Sequence, residues 1–296
     1  MNRTHLPLAV ATATLFASLA GALAGQAVEG KKEVTPVVPI SEDIVVHPIT
    51  DPYWAEDSFN GNDVRLVYAH HNFLSDVLGG GRAHVYAAQL RLKITDWLQF
   101  VAYKDGYMDV ETAGYNNEGW NDIAAGLKFI FLRNDNLHLY SAVGVGYEFA
   151  SGDDQVFQDD DGFRFWWSIN KGFDKLHLGA TVNYFVATEN GNDKLGDSDQ
   201  LTWHLHADYE LCKYFSPVIE VNGYHVTDQG IPVTPFSGSD VLNLGGNKNE
   251  NTITGAVGIE VRPCNYVALR GAYETQLNDD HDLFGHRWTF SAVIKF

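Results

Sequence analysis

Apolar and polar residues alternate without a break along residues 200–211. The apolar set is Leu201, Trp203, Leu205, Ala207, Tyr209 and Leu211, and the polar set is Gln200, Thr202, His204, His206, Asp208 and Glu210. Successive side chains of a β-strand point to opposite faces of the sheet. The segment therefore predicts a strand with one apolar and one polar face.

The same alternation recurs after residue 62 and predicts about twelve strands, because a period of two is the signature of a strand. The expected strands are 63–71, 83–94, 97–104, 121–132, 137–149, 163–170, 176–187, 200–211, 215–226, 252–262, 266–274 and 286–296. Short turns at 95–96, 133–136, 171–175, 212–214 and 263–265 alternate with long loops at 105–120, 150–162, 188–199, 227–251 and 275–285.

Strand length and the two kinds of connection distinguish a membrane barrel from a soluble β-sandwich. Soluble strands average about five or six residues, whereas a tilted spanning strand needs about 9–11. Outer-membrane barrels have short periplasmic turns and long extracellular loops. We therefore predict an all-β fold over residues 63–296, a single antiparallel up-and-down transmembrane β-barrel of about twelve strands in a bacterial outer membrane.

The two ends of the chain support export and barrel assembly. Residues 1–27, with Arg3 before an apolar run and small residues at the end, are typical of a signal peptide. The last strand carries Trp288, Phe290, Ile294 and Phe296 on one face. Such a strand ending in Phe resembles the signal that outer-membrane barrels present to the barrel assembly machinery. This machinery and outer-membrane lipids are therefore the expected partners, in a Gram-negative bacterium.

Residues 28–62 differ from the rest of the mature chain. They contain Pro36, Pro39, Pro48 and Pro52 and show little sustained alternation, so we expect an irregular segment. Such a segment is either a plug inside the barrel or a periplasmic tail. The sequence leaves both alternatives open.

Composition excludes one class of partner and leaves a question about the two cysteines. The net charge of −18 argues against nucleic acid, whose phosphates require a basic face. Cys212 and Cys264 fall in successive short turns, which would lie about 10 Å apart, two strand spacings. A disulfide needs Cα atoms within about 7 Å, so the sequence allows either a bond across flexible turns or two free thiols.

Four segments combine glycines with apolar, aromatic and acidic residues: Gly119-Trp-Asn-Asp-Ile-Ala-Ala-Gly-Leu-Lys-Phe129, Val143-Gly-Val-Gly-Tyr-Glu-Phe149, Glu220-Val-Asn-Gly-Tyr224 and Asp240-Val-Leu-Asn-Leu-Gly245. Taken in this order, they resemble the family of outer-membrane transporters named for the MetA pathway of phenol degradation. The Gly–Asp pair of the family's motif is here separated, as Gly119 and Asp122. The resemblance implies an outer-membrane barrel that passes small hydrophobic or aromatic solutes. It brings no catalytic residues.

The polar faces of the predicted strands carry charges of both signs. The candidate lumen-lining residues are Lys128, Glu148, Arg164, His177, His204, His206, Asp208, Glu210, Glu220, Glu260, Arg262, Arg270 and Glu274. They could line a selective pore, or they could pair with one another in a filled lumen, because unpaired buried charges are costly. A barrel of about twelve strands is intermediate in width between filled and water-filled barrels, so both alternatives stay open.

The sequence contains no evident metal or catalytic site. His204 and His206, with His177 on a neighbouring strand, could bind a metal, but spacing alone supplies no third ligand. We therefore expect hydrogen bonding in the lumen and no cofactor. No Gly-x-Ser-x-Gly motif or paired nucleophile and base occurs, so we do not expect an enzyme.

The sequence favours a porin-like channel for passive passage of small molecules. The alternative is a closed structural or surface-binding barrel without transport.

Overall fold

A computed structural model describes residues 45–73, 79–156, 161–188, 198–228, 251–278 and 284–296. The strands are β1 (Asp63–Phe73), β2 (Gly81–Thr95), β3 (Leu98–Lys104), β4 (Tyr107–Thr112), β5 (Asn116–Trp120), β6 (Ile123–Asn134), β7 (Leu139–Phe149), β8 (Gly162–Phe173), β9 (Leu176–Ala187), β10 (Asp199–Tyr209), β11 (Phe215–Asp228), β12 (Asn251–Cys264), β13 (Val267–Gln276) and β14 (Phe284–Lys295). The expected signal peptide, residues 28–44 and the motif at 240–245 lie outside the described residues. Within the described ranges, no helix is long and apolar enough to cross a bilayer.

The strands form one closed antiparallel sheet. Strand β1 pairs with β2 on one side and with β14 on the other, so that His70 is opposite both His84 and Trp288. Strand β2 pairs with β3 near its C-terminal end and with β4 near its N-terminal end. Segments β3 and β4 are therefore one interrupted strand, and β5 and β6 form another. The fourteen segments make a closed barrel of twelve strands, which confirms the predicted fold class.

The predicted loop at 105–120 is wrong in part, because it contains the β4–β5 hairpin. Met108 and Val110 of β4 are buried and continue the alternation of β3 after a break at Asp105-Gly106. Gly106 has a φ of +120°, and a Cβ there would lie 2.3 Å from the carbonyl oxygen of Tyr86. Only glycine allows the chain to pass β2 this closely. This Asp-Gly pair suggests a turn in the sequence and conceals the short strand that follows.

The two faces of the barrel differ sharply in chemistry. Large apolar side chains are exposed on the outside, among them Leu66, Phe129, Val143, Phe165, Ile219, Val257, Leu269 and Phe290. Polar and charged side chains of the same strands are buried on the inside. Trp97, Tyr214 and Tyr266, each the last residue of a short turn, are also exposed, as expected for an aromatic girdle.

Candidate functional site: an occupied lumen

The lumen contains residues 45–62, which we call the inner segment. Among residues 45–60, every side chain is buried except those of Pro48 and Pro52, which are half-buried. The segment has no helix or strand, as its prolines predict. Its burial therefore comes from the surrounding barrel rather than from its own secondary structure.

The inner segment folds back on itself. The backbone N–H of Ala55 donates to the carbonyl oxygen of Asp51 at 3.0 Å, and Asp51 adopts a φ of 51° at this tight turn. On either side of the turn, the His47 ring nitrogen Nδ1 is hydrogen-bonded to the Asp57 carboxylate. The segment is thus a hairpin-like loop with its tip at residues 51–55.

The loop enters and leaves the barrel at the end where the short turns lie. Asn60 donates from Nδ2 to the carbonyl oxygen of Thr95, the last residue of β2 before a short turn, at 2.7 Å. At the tip, the Tyr53 hydroxyl donates to the carbonyl oxygen of Asp105, in the break between β3 and β4, at 2.7 Å. Because short turns of outer-membrane barrels are periplasmic, the inner segment occupies the lumen from the periplasmic side.

Two acidic residues of the inner segment are held by buried cations of the barrel. Glu56 accepts a hydrogen bond from Nη2 of Arg91 at 2.7 Å and one from Nζ of Lys128 at 3.0 Å. Nζ of Lys128 also lies 3.6 Å from the Asp57 carboxylate. All four side chains are buried. Each charge has an opposite partner, which is the condition for burying it at tolerable cost.

Side chains of the barrel also satisfy the irregular backbone near the tip. The Glu220 carboxylate accepts the N–H groups of Ile49 and Thr50, each at 2.8 Å. Arg164 donates to the carbonyl oxygens of Tyr53 and Trp54 at 2.7 and 2.6 Å. Backbone groups that are neither in a sheet nor in water need such partners.

Contacts to the inner segment come from most sides of the barrel. Hydrogen bonds reach it from Gln89 and Arg91 (β2), Gln99 (β3), Lys128 (β6), Arg164, Ser168 and Asn170 (β8), Thr181 (β9), Glu220 and Asn222 (β11) and Arg270 (β13). Strands on opposite walls therefore contact the same short loop. The inner segment spans the cross-section of the lumen.

The structure places all but one of the predicted lumen-lining residues on the buried inward face. They are Lys128, Glu148, Arg164, His177, His204, His206, Asp208, Glu220, Glu260, Arg262, Arg270 and Glu274. Several pair within the wall: Arg262 with Glu260 at 3.3 Å, Arg287 with Glu274 at 2.7 Å, and Lys104 with Glu148.

Glu210 does not belong to this set. Strand β10 ends at Tyr209, and Glu210 is half-buried in the following turn. Its N–H donates to the carbonyl oxygen of Lys175 in the adjacent turn at 2.9 Å. The alternation of polarity continues one residue past the strand, which is why the sequence suggested an inward position.

The remaining predicted residues lie on the outside. Trp288, Phe290, Ile294 and Phe296 are exposed along one face of the last strand and the residue after it. Cys212 and Cys264 are exposed free thiols, so the disulfide that the sequence allowed is not formed. Turns separated by two strands are too far apart for the bond unless the turns distort.

Several residues of the occupied lumen were missed from the sequence. Glu56 and Asp57 lie in a segment without periodicity, so no pattern indicated which way they point. Arg65, Arg91 and Arg287 are buried cations on the polar faces of β1, β2 and β14. Their alternation with apolar neighbours was the available signal.

Solved structures of several outer-membrane barrels are similar to this chain. A KdgM porin is 11% identical and covers 78% of this chain and 99% of its own, with a TM-score of 0.44. The transport unit of the autotransporter AIDA-I from Escherichia coli is 14% identical over 80% and 90%, with a TM-score of 0.48. OprD from Pseudomonas aeruginosa is 8% identical over 85% and 97%, with a TM-score of 0.38. No family model and no curated protein matches the chain.

The location of the protein follows from its own surface. A closed barrel leaves no strand edge unpaired, which is the condition for placing a sheet in lipid. Its outer face is apolar, and its inner face carries the buried charged and polar side chains, as in barrels of the outer membrane. The chain is an outer-membrane β-barrel. The resemblance to the MetA-pathway family stays an expectation.

Proposed function

We propose that this protein is an outer-membrane channel for small solutes, closed from the periplasmic side by the inner segment. One observation carries the proposal: the lumen is filled by a separate loop, not by the strands' own side chains. A barrel with only a structural role can be filled by its strands, as small barrels are. A separate loop that fills the lumen can also leave it.

Displacement of the inner segment would leave the barrel wall intact. The wall is closed by strand pairing between β1 and β14, in which residues 45–60 of the inner segment take no part. The loop is held by hydrogen bonds and ion pairs such as Arg91–Glu56. Water entering the lumen would hydrate the separated charges, which lowers the cost of opening relative to a dry site.

The emptied lumen would suit an aqueous path. Twelve strands give a width between the filled eight-stranded barrels and the open sixteen-stranded porins. Charged side chains such as Arg91, Lys128 and Arg164 would then face the path of the solute. Rings of charged side chains set the selectivity of such pores.

Small aromatic compounds are the solutes we propose. The resemblance to the MetA-pathway family implies this class. Aromatic side chains also face the lumen around the tip of the inner segment: Tyr103, Trp166, Phe185 and Tyr224 are buried on the inward face. The Trp54 ring at the tip packs on Phe185 with 5.4 Å between ring centroids. Aromatic solutes could stack on these rings once the tip has moved.

A reversible lock on the inner segment tests the proposal. Ser58 in the segment and Ser168 on β8 have hydroxyl oxygens 3.0 Å apart, so the paired change Ser58→Cys and Ser168→Cys places two thiols within reach of a disulfide. Cys212 and Cys264 are changed to Ser to remove competing thiols. In proteoliposomes, we expect benzoate uptake to be lost in the oxidised protein and restored by reductant.

The controls separate transport from a structural role. Ser58→Cys alone should transport like the parent protein under both conditions. Uptake by the oxidised double variant equal to that of the reduced form would contradict the plug. Uptake no faster than that of protein-free liposomes, in every state and for every small solute tried, would favour the structural alternative.

A further inference from the structure

Two histidines and an aspartate converge on the inward face at the short-turn end. His177 on β9 is the register partner of Asp208 on β10, and His206 lies two residues before Asp208 on the same face. Asp208 Oδ2 lies 2.6 Å from His177 Nδ1 and 3.1 Å from His206 Nε2. All three side chains are buried, and their ligating atoms lie within 4.8 Å of one another.

The donor set suits a transition-metal ion. Zinc is bound by imidazole nitrogen and carboxylate oxygen at about 2.0–2.2 Å, in tetrahedral geometry with three protein ligands and one exchangeable position. That geometry separates neighbouring ligand atoms by about 3.4 Å. Binding in this geometry requires Asp208 Oδ2 to lie about 0.8 Å farther from His177 Nδ1 and about 0.3 Å farther from His206 Nε2 than it does in the metal-free state. In the metal-free state, hydrogen bonds hold the three groups together.

The groups behind these residues are those that support a metal site. The second ring nitrogen of His206, Nδ1, is hydrogen-bonded to Glu220 Oε1 at 2.8 Å. The second ring nitrogen of His177, Nε2, lies 3.4 Å from the side-chain amide of Asn170. Metal-binding histidines usually have such a partner, most often a carboxylate, which fixes the tautomer and orients the ring.

The site lies close to the periplasmic opening. His177 is the second residue of β9, and Asp208 is the next-to-last residue of β10. An ion arriving from the short-turn end therefore passes few residues before reaching the site. The Phe59 ring of the inner segment lies against His177, with 5.5 Å between ring centroids.

We propose that His177, His206 and Asp208 bind a divalent transition-metal ion of the zinc class. The sequence alone pointed to hydrogen bonding because spacing offered no third ligand. The register of β9 and β10 supplies it. His204, the other candidate, is not a ligand: its ring faces Asn222 at 3.1 Å and Asp51 at 3.3 Å.

Calorimetric titration of the chelator-treated full chain with zinc chloride at neutral pH tests the site. We expect one zinc ion per chain in the wild type. His177→Ala, His206→Ala and Asp208→Asn should each weaken zinc binding. Loss of a residue that only hydrogen-bonds to a metal ligand typically weakens binding by about 10–100-fold, and loss of a ligand should weaken it at least as much. His204→Ala, on the same face of the same strand, should bind like the wild type.

A second control addresses a histidine pair on the outer face. His70 and His84 approach within 3.4 Å between their Nδ1 atoms and could chelate zinc at the surface. Loss of binding in His84→Ala, with binding retained in His206→Ala, would overturn the proposal. No zinc binding by the wild type would also overturn it.

X-ray absorption of the zinc-loaded wild type gives a reading that needs no variant to fold. Two imidazole ligands with oxygen in the first shell are expected, and a shell of oxygen alone would contradict the site. Channel recordings are not needed for either measurement. The metal site and the proposed transport therefore stand or fall separately.

Discussion

Arg91 of β2 donates to both carboxylate oxygens of Glu56, with Nη2 to Oε2 at 2.7 Å and Nε to Oε1 at 3.1 Å. Both side chains are buried. A bidentate pair of this kind fixes orientation as well as distance. It joins the inner segment to the barrel wall at one defined position.

Loss of this pair should loosen the inner segment. Glu56→Gln removes the carboxylate nearest to both Arg91 and Lys128, and breaking a buried ion pair typically costs about 3–5 kcal/mol. With Ser58→Cys as a reporter and both native cysteines changed to Ser, we expect the rate of maleimide labelling to rise by at least about a hundredfold, the equivalent of about 3 kcal/mol.

The matched control is an ion pair of similar geometry at the surface. Arg82 and Glu111 are 2.7 Å apart, but their side chains are 53% and 52% exposed. Glu111→Gln should leave the labelling rate unchanged, because exposed pairs contribute about 0–1 kcal/mol. Rapid labelling of Ser58→Cys in the absence of Glu56→Gln would contradict the burial of the segment.

The assignment of one face of β10 to lipid can be tested by placing a single charge on that face. Leu205 faces lipid between the inward residues His204 and His206. Leu205→Arg should lower the free energy of unfolding by about 2–4 kcal/mol if the side chain lies near the bilayer midplane. Leu205→Ala provides the control for lost apolar area alone. Equal effects of the two changes, measured by unfolding in urea from vesicles, would contradict the assigned face.

We expect Phe296 to take part in the assembly of the barrel. Phe296 is 63% exposed, and its N–H donates to the carbonyl oxygen of Asn62 at 3.2 Å. Its deletion should leave export intact and lower the amount of folded protein in the outer membrane, read from heat-modifiable gel mobility. Phe296→Tyr keeps an aromatic ring and should assemble normally. Full assembly of the truncated chain would refute the proposed signal.

The two cysteines give a simple chemical check on the turns. Because Cys212 and Cys264 are exposed and unbonded, denatured but unreduced protein should react with two equivalents of a thiol reagent. A count of zero would show a disulfide, and the turns would then have to lie closer than the strand spacing allows.

The alternation of polarity predicted the strands because lipid and lumen impose opposite demands on successive residues. Thr202, His204, His206 and Asp208 are all buried on the inward face of β10, as expected. The pattern failed where it is short or runs past a strand end. The β4–β5 hairpin was hidden by Asp105-Gly106, and Glu210 continued the alternation into a turn.

The occupied lumen could be predicted only in part. Polar faces identified Lys128, Arg164 and Glu220 as inward residues. Their partners in the inner segment could not be found, because that loop has no period and its contacts join residues far apart in the chain. The hydrogen bond between Ile49 and Glu220 spans 171 positions. Such pairing depends on the closed barrel and not on local pattern.

In the proposed channel, the inner segment closes a lumen that is otherwise open. Its deletion removes Asp51, Glu56 and Asp57 and exposes the wall cations Arg91 and Lys128 to water. An open lumen lined in this way should prefer anions.

Single-channel recording in planar bilayers of the wild type and of a chain lacking residues 45–60 measures this directly. We expect brief openings in the wild type and a steady, anion-selective conductance in the deletion variant. Heat-modifiable gel mobility checks that both proteins are folded. A folded deletion variant that conducts no more than the wild type would contradict the proposed closure of the lumen by the inner segment.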